Sequence, residues 1–279
     1  MDTNGLPQGA RVGRTALTVS DREEMTEFYR RVVGLSMLDK SPTTTVLGVD
    51  GDPLLILEEH TDSNARPGPT TGLFHIAFRV PSRGALGDAL ERIREHWQLD
   101  GSADHRVSEA LYVTDPEGNG VEIYRDFPEA DWSVADDGSI RLGNDPLDVN
   151  EIAAVAAGET QAPPETDIGH LHLEVSSLDE FKRCYVDTLG FEVKSELKTA
   201  VFVSAGRYHH RIAANTGHNK SEPRRGRGLS WFEIVLPEAS SLESLRTRLA
   251  ASQWTITELE ESISITDSDG IEIRFRQQQ

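Results

Sequence analysis

Apolar and polar positions alternate through Ala10–Val19, "ARVGRTALTV", which predicts a β-strand with one buried face. The spacing then changes. From about Asp21 to Val33 it becomes helical, and Gly34 follows as a helix-ending glycine, with another strand after it. The same succession restarts at Thr166 in "TDIGHLHLEV", with a helix over roughly Leu178 to Leu189 and Gly190 behind it. The copies are 156 positions apart (170 − 14 = 156), an offset that maps Arg14 onto His170, Tyr29 onto Tyr185 and Gly34 onto Gly190.

Each half contains a second unit of the same kind. "GLFHIAFRV" reads as a strand and "SRGALGDALERIREHW" as a helix, and "EALYVTD" and "GVEIYRD" are two strands around the turn "PEGN". The later half repeats this with "GLSWFEIVL", "SSLESLRTRLAAS", then "SISITD" and "IEIRF" around "SDG". The offset again holds, mapping His75 onto Trp231 (231 − 75 = 156). The pattern therefore predicts an α+β chain of four β-α-β-β-β units. Two fall in a first half over 10–127 and two in a second half over 166–276. The segment 128–165 between them reads as a connection. It is polar at "ADWSVADDG" and proline-rich at "QAPPETD", with room for a short helix at "VNEIAAVAA".

Composition narrows the function classes. The net charge of −19 argues against nucleic acid or an anionic membrane as partner, since both call for basic patches. No apolar run approaches the ~20 residues of a membrane span, and the opening "MDTNGLPQGA" lacks the basic and apolar regions of a signal peptide. A single cysteine, Cys184, rules out an internal disulfide framework and fits a reducing cytoplasm. Lysine occurs only at Lys40, Lys182, Lys194, Lys198 and Lys220. This acidic, lysine-poor balance suits a halophilic origin, and an ordinary acidic soluble protein is the alternative.

The first inward residues of the four opening strands are Arg14, His75, His170 and Trp231, and only the two histidines among them bind metals. The last strand of each half carries an acid, Glu122 in "NGVEIYRD" and Glu272 in "DGIEIRF". Two imidazoles and one carboxylate occupy half of an octahedron. The other half stays open for substrate and dioxygen, which suits Fe(II), with Mn(II) also tolerated.

The four-unit layout, "GH" and "GLFH" opening strands, and "SEALYVTDPEGNGVEIYRD" with "SAGRYHHRIAAN" resemble the vicinal oxygen chelate superfamily. Within it, the two-domain extradiol ring-cleaving enzymes of the catechol-2,3-dioxygenase type are most similar. The resemblance implies that two units form one cupped mixed sheet around a metal. One unit gives a His from its first strand; its partner gives a His from its first strand and a Glu from its last. Pairing in chain order would leave each cup with one His. Pairing unit two with unit three collects His75, Glu122 and His170 in one cup, and leaves Arg14, Trp231 and Glu272 in the other. An internally paired chain mimics the simpler dimers of such a family, so both a monomer and a homodimer are compatible with it.

The resemblance further implies a dioxygenase that opens a catechol-type aromatic diol, in aromatic compound catabolism. Such chemistry needs an acid–base group, for which histidine has a suitable pKa. "YHHRIAAN" offers His209 and His210; neighbouring strand positions face opposite ways, and His210 matches the family's pattern better, leaving His209 as a substrate contact, at the surface or behind the site. Tyr112, ten residues before Glu122, matches a tyrosine that bonds a substrate oxygen; the alternative is a core aromatic. His105 is a substrate contact or a solvated loop residue. His172 shares a strand face with His170, deeper in, as a packed residue or a substrate contact. A glyoxalase-like isomerase or lyase needs a further carboxylate, which "HHRIAANTG" lacks, although chain-order pairing would offer Glu58 or Glu59. A metal-free binding protein of the same fold is a third reading.

Overall fold

The computed structural model describes residues 5–61 and 63–278. Unit one comprises β1 (Arg11–Val19), α1 (Arg22–Phe28), β2 (Ser36–Lys40), β3 (Thr44–Val49) and β4 (Asp52–Glu59). Unit two comprises β5 (Gly72–Arg79), α2 (Arg83–His96), β6 (Gly101–Asp104), β7 (Ser108–Thr114) and β8 (Gly120–Asp126). A short helix, α3 (Val149–Ala153), lies in the connecting segment. Unit three comprises β9 (Asp167–Glu174), α4 (Leu178–Lys182), β10 (Glu192–Leu197), β11 (Ala200–Ser204) and β12 (Ile212–Asn215). Unit four comprises β13 (Gly228–Leu236), α5 (Ala239–Ala250), β14 (Thr257–Glu258), β15 (Ile263–Thr266) and β16 (Glu272–Gln277).

The repeat extends to local detail. The Asp21 carboxylate caps α1 by accepting from the Glu24 N–H, and the Ser177 hydroxyl caps α4 by accepting from the Glu180 N–H. Both helices widen into π-helical turns, at Tyr29–Val33 and Arg183–Thr188. They are followed by Gly34 (φ 91°) and Gly190 (φ 87°), in the left-handed region that glycine enters without strain.

The units pair across the halves. One eight-stranded sheet runs β10-β11-β12-β9-β5-β8-β7-β6, joining units three and two; the other runs β14-β15-β16-β13-β1-β4-β3-β2, joining units four and one. The central joints are antiparallel, β5 with β9 and β1 with β13. Period-two alternation assigns the faces. Ile76, Phe78, Leu171 and Leu173 enter the large core, which also takes buried residues of α1, α2, α4 and α5. His75, His170 and His172 turn to the hollow side. Burying a side chain such as Phe78, fully inaccessible, contributes roughly 1.5–3 kcal/mol, so a one-residue slip of β5 would cost far more than it gains.

Within each half, a turn of the second unit holds the helix of the first. The Tyr29 hydroxyl donates to Asp115 Oδ2 (3.0 Å), and Tyr185 donates to Asp267 Oδ2 (3.0 Å). Glu117 accepts from the Ser20 and Asp21 N–H groups, and Asp269 accepts from Ser176 N–H. The repeat thus preserves a clamp as well as a pattern of strands, its helix side offset by 156 residues (185 − 29) and its turn side by 152 (267 − 115). No helix among the described residues is long and apolar enough to cross a membrane.

Candidate metal centre

Three adjacent strands supply the cup's chemistry. In the register of β5 with its neighbours, Ala77 lies opposite both His170 on β9 and Glu122 on β8. The small Ala77 side chain leaves space above it, and His75, two residues back, closes the third side. The three donor atoms converge there. His75 Nε2 lies 2.9 Å from Glu122 Oε2, His170 Nε2 lies 3.1 Å from the same oxygen, and the two Nε2 atoms are 3.3 Å apart. With metal–ligand bonds of about 2.1 Å, neighbouring corners of an octahedron are about 3 Å apart, so these atoms are spaced to hold one ion facially. Among the described residues, no other group of His, Cys, Asp and Glu side chains converges in this way.

Burial makes the donors ready. His75, Glu122 and His170 are 7%, 2% and 3% exposed. Burial lowers the pKa of His170 to about 4 despite the adjacent Glu122, so its imidazole is neutral and keeps a lone pair. Burial alone would raise the Glu122 pKa, but His170 and His75 outweigh it and hold the carboxyl well below its usual range.

A cleft of about 800 Å³ opens onto these three residues. Tyr112 on β7 lies opposite Glu122, with its ring 5.8 Å from that of His75. Its hydroxyl is 2.5 Å from His105 Nε2, while His105 Nδ1 is 2.8 Å from the carbonyl oxygen of Gly143. A carbonyl only accepts, so Nδ1 carries the His105 proton and Nε2 accepts from Tyr112. Burial and then Glu122 raise the Tyr112 pKa well above its ordinary value, so the phenol stays protonated. His172 lines the cleft, 5.0 Å ring to ring from both His75 and Phe74, and its Nε2 accepts from Asn215 Nδ2 at 3.1 Å. Phe74, Val107, Leu142, Leu197 and Phe202 supply apolar wall.

The family model described as the Glyoxalase/Bleomycin resistance protein/Dioxygenase superfamily matches residues 11–123 and 167–275. The chain belongs to that superfamily. It is 38% identical over 271 residues to a Bacillus subtilis protein named catechol-2,3-dioxygenase, covering 94% of this chain and 95% of the relative. It is 29% identical over 126 residues to biphenyl-2,3-diol 1,2-dioxygenase 3 of Rhodococcus globerulus, covering 42% of this chain and 63% of that protein. Among solved structures, glyoxalase I from Zea mays superposes with a TM-score of 0.59 at 13% identity, covering 96% of this chain and 92% of that one, a likeness of fold.

Three expectations change within this superfamily framework. First, His209 and His210 lie in the turn before β12, not on the strand. Strand alternation therefore does not govern them, and their Nδ1 atoms meet at 2.7 Å. His210 lines the cleft, its ring 4.2 Å from that of His170. His209, one of the substrate contacts the sequence offered, is instead 1% exposed, lies behind the site and lines no part of the cleft; its Nε2 binds Asp126 Oδ1 at 2.9 Å.

Second, Glu272 is not the counterpart of Glu122. Glu122 lies opposite Tyr112 and Ala77, whereas Glu272 lies opposite Thr266 and Trp231, two positions earlier in the repeat. The turns after Asp115 and Asp267 are equally long, with Thr114 facing Gly120 and Thr266 facing Glu272 across them, but "GVEI" starts five residues after Asp115 (120 − 115) and "GIEI" three after Asp267 (270 − 267), so the similar letters fall out of register. The structural counterpart is Arg274, whose guanidinium stacks over Trp231 at 3.8 Å and binds Glu272 at 2.7 Å. Arg14 pairs with Glu233, and Glu58 accepts from the Trp231 indole at 3.1 Å. That cup holds a cation and an indole where the other has ligands, and Glu58 and Glu59 belong to it.

Third, the connecting segment is part of the site. Leu142, Gly143 and Asn144 line the cleft, and an isolated bridge of Asp104 with Asp145 ties the segment to the edge of β6. Asp126, Gly143 and Asn215 escaped the sequence reading. The last of these ends the already conspicuous "HHRIAAN", but nothing local marks the other two.

Proposed function

We propose that this protein is an extradiol ring-cleaving dioxygenase that takes a catechol-type diol and dioxygen at the His75/Glu122/His170 centre. The observation that carries the reading is the meeting of these donors with His210 and Tyr112 in one cleft. The 38% identity to a relative named catechol-2,3-dioxygenase supports it. Two imidazoles and one carboxylate suit Fe(II), with Mn(II) the second choice.

When bound, the ion supplies a Lewis acid that acidifies the diol hydroxyls and a template that holds diol and dioxygen side by side. The chain's own groups do the remainder. His210 accepts a diol proton and returns it later, the work of a general base and acid. The Tyr112 oxygen accepts a hydrogen bond from the second hydroxyl while its own O–H donates to His105 Nε2. His105 and His172 are polar contacts at the cleft wall. Phe74 and Phe202 flank the ring and keep water out.

An isomerase of the glyoxalase kind would draw a fourth ligand from β12. The residue there that corresponds to Glu122 is Ala213, opposite His172 on β9. A methyl group binds no metal, so the dioxygenase reading is the stronger. The lone cysteine, Cys184, is buried and free, which supports a reducing cytoplasm.

The test is anaerobic loading with Fe(II), then addition of a panel of catechols and air. A yellow ring-fission product with matching oxygen uptake is expected. Retention of iron with no product from any catechol would overturn the proposal.

A further inference from the structure

We propose that Asp126 and His209 are positioning residues that hold His210 in a single tautomer, its proton on Nδ1 and its lone pair on Nε2. The inference rests on the reading of His210 as the proton acceptor, and goes on to say what prepares it.

The hydrogen-bond chain dictates the tautomer. Asp126, on β8, accepts from Arg79 Nη1 (3.2 Å) and from the Tyr208 hydroxyl (2.9 Å) on Oδ2. These donors favour the ionised carboxylate, so Oδ1 only accepts. His209 Nε2, 2.9 Å from Oδ1, therefore carries the His209 proton. A neutral imidazole has one N–H, which leaves a lone pair on His209 Nδ1. The 2.7 Å contact between the two Nδ1 atoms then requires a proton on His210 Nδ1. His210 Nε2 is left unprotonated, on a ring that lines the cleft.

The surroundings hold this chain in place. The Tyr208 ring lies 4.2 Å from the His209 ring and Trp132, from the connecting segment, 5.1 Å from it. Tyr124 bonds Tyr208 at 2.7 Å and lies against Gly169, where an added Cβ would fall 1.7 Å from the Tyr124 oxygen. Burial keeps the His209 pKa low, in keeping with a neutral ring. When His210 Nε2 takes a proton from the diol, its Nδ1 proton can pass to His209 Nδ1 and place the positive charge beside Asp126. Only a proton moves. A carboxylate that orients an imidazole is an established catalytic device.

Asp126→Asn tests this sharply. Arg79 and Tyr208 both donate to the Oδ2 side, so the amide oxygen settles there and the NH₂ group faces His209 Nε2. His209 must then accept at Nε2 and carry its proton on Nδ1. That proton is donated to His210 Nδ1, which moves the His210 proton to Nε2 and removes the base. Long-range ¹H–¹⁵N correlation spectra of metal-free, histidine-labelled protein read both tautomers. The expected result is His209 Nε2–H with His210 Nδ1–H in the wild type, and the reverse in Asp126→Asn. After iron loading, the variant's kcat should fall by about 10²–10⁴-fold with KM nearly unchanged.

A wild-type His210 protonated on Nε2 overturns the inference, whether or not the variant folds. So does an Asp126→Asn variant that keeps the wild-type tautomers, or one that exchanges them at full kcat. These outcomes are distinct from failure of the proposed function, in which no diol is cleaved while the tautomers stand as described.

Discussion

Glu122 is the one anionic donor of the three, so Glu122→Gln tests the centre most directly. Metal that binds only the folded chain stabilises it by RT ln(1 + [M]/Kd), about 2.7 kcal/mol at 100 times Kd. In a chain of this size each kcal/mol raises Tm by roughly 2–4 °C, so a rise of roughly 5–10 °C is expected for the wild type. Glutamine keeps the shape but removes the charge. Loss of an outer partner that merely orients a ligand already costs up to about 100-fold in affinity, and loss of the anionic ligand should cost at least as much. At the same metal concentration the variant then gains about RT ln 2, or ~0.4 kcal/mol, a shift near 1 °C. Thermal melts with and without Mn(II), or with Fe(II) under nitrogen, measure both. Glu272→Gln in the other cup is the control and should keep the full shift, because Glu272 is engaged with Arg274. A full metal shift in Glu122→Gln, or its loss in Glu272→Gln, would refute the assignment of the centre to the β9–β5–β8 strands.

Tyr112→Phe removes the hydroxyl that binds His105, and kcat should fall by about 10–100-fold, the worth of one good hydrogen bond in a site, with the metal shift retained; unchanged oxygen uptake would remove Tyr112 from the chemistry. The buried histidines make the metal-free fold acid-sensitive. Burial lowers the pKa of His170 from 6.5 to about 4, and those of His172 and His210 well below 6.5. The unfolded chain therefore binds more protons than the folded one, and stability is lost as pH falls from 6.5 towards 4, by up to about 1.4 kcal/mol per histidine per pH unit. Urea melts at pH 7.5 and 5 should show this, and equal midpoints would contradict it. Finally, a net charge of −19 repels itself, so raising NaCl from about 0.05 to 1 M should screen the repulsion and increase Tm; a decrease would argue against the halophilic reading.

Much of this molecule is legible in one dimension because strands and helices impose periods on their sequences. Alternation at Arg11–Val19 and Asp167–Glu174 reports a half-buried strand wherever it occurs, and the 156-residue offset makes the two occurrences copies. Comparing the copies singled out His75 and His170, since ligand chemistry is a property of residue type, and the resemblance to the vicinal oxygen chelate superfamily added Glu122 as their partner. The crossed pairing of units also followed, because only one pairing assembles a complete ligand set.

Other features depended on the register between strands and on long-range contacts. The turns after Asp115 and Asp267 are equal in length, so Glu272, five residues after its aspartate where Glu122 is seven after its own, stops short of the position its motif suggested and Arg274 takes it; in a sheet, position is set by register with neighbouring strands, not by resemblance of letters. A turn, not a strand, carries His209 and His210, so their rings touch although only His210 reaches the cleft. Gly143 and Asp126 carry no local signal at all. One acts through a backbone carbonyl brought 38 positions back to His105, and the other through a carboxylate set against a histidine 83 positions further on. The sequence by itself therefore determined which residues could hold a metal and how the units pair. Tertiary structure decided how protons are arranged around them, because a hydrogen bond depends on distance and direction in space rather than on separation along the chain.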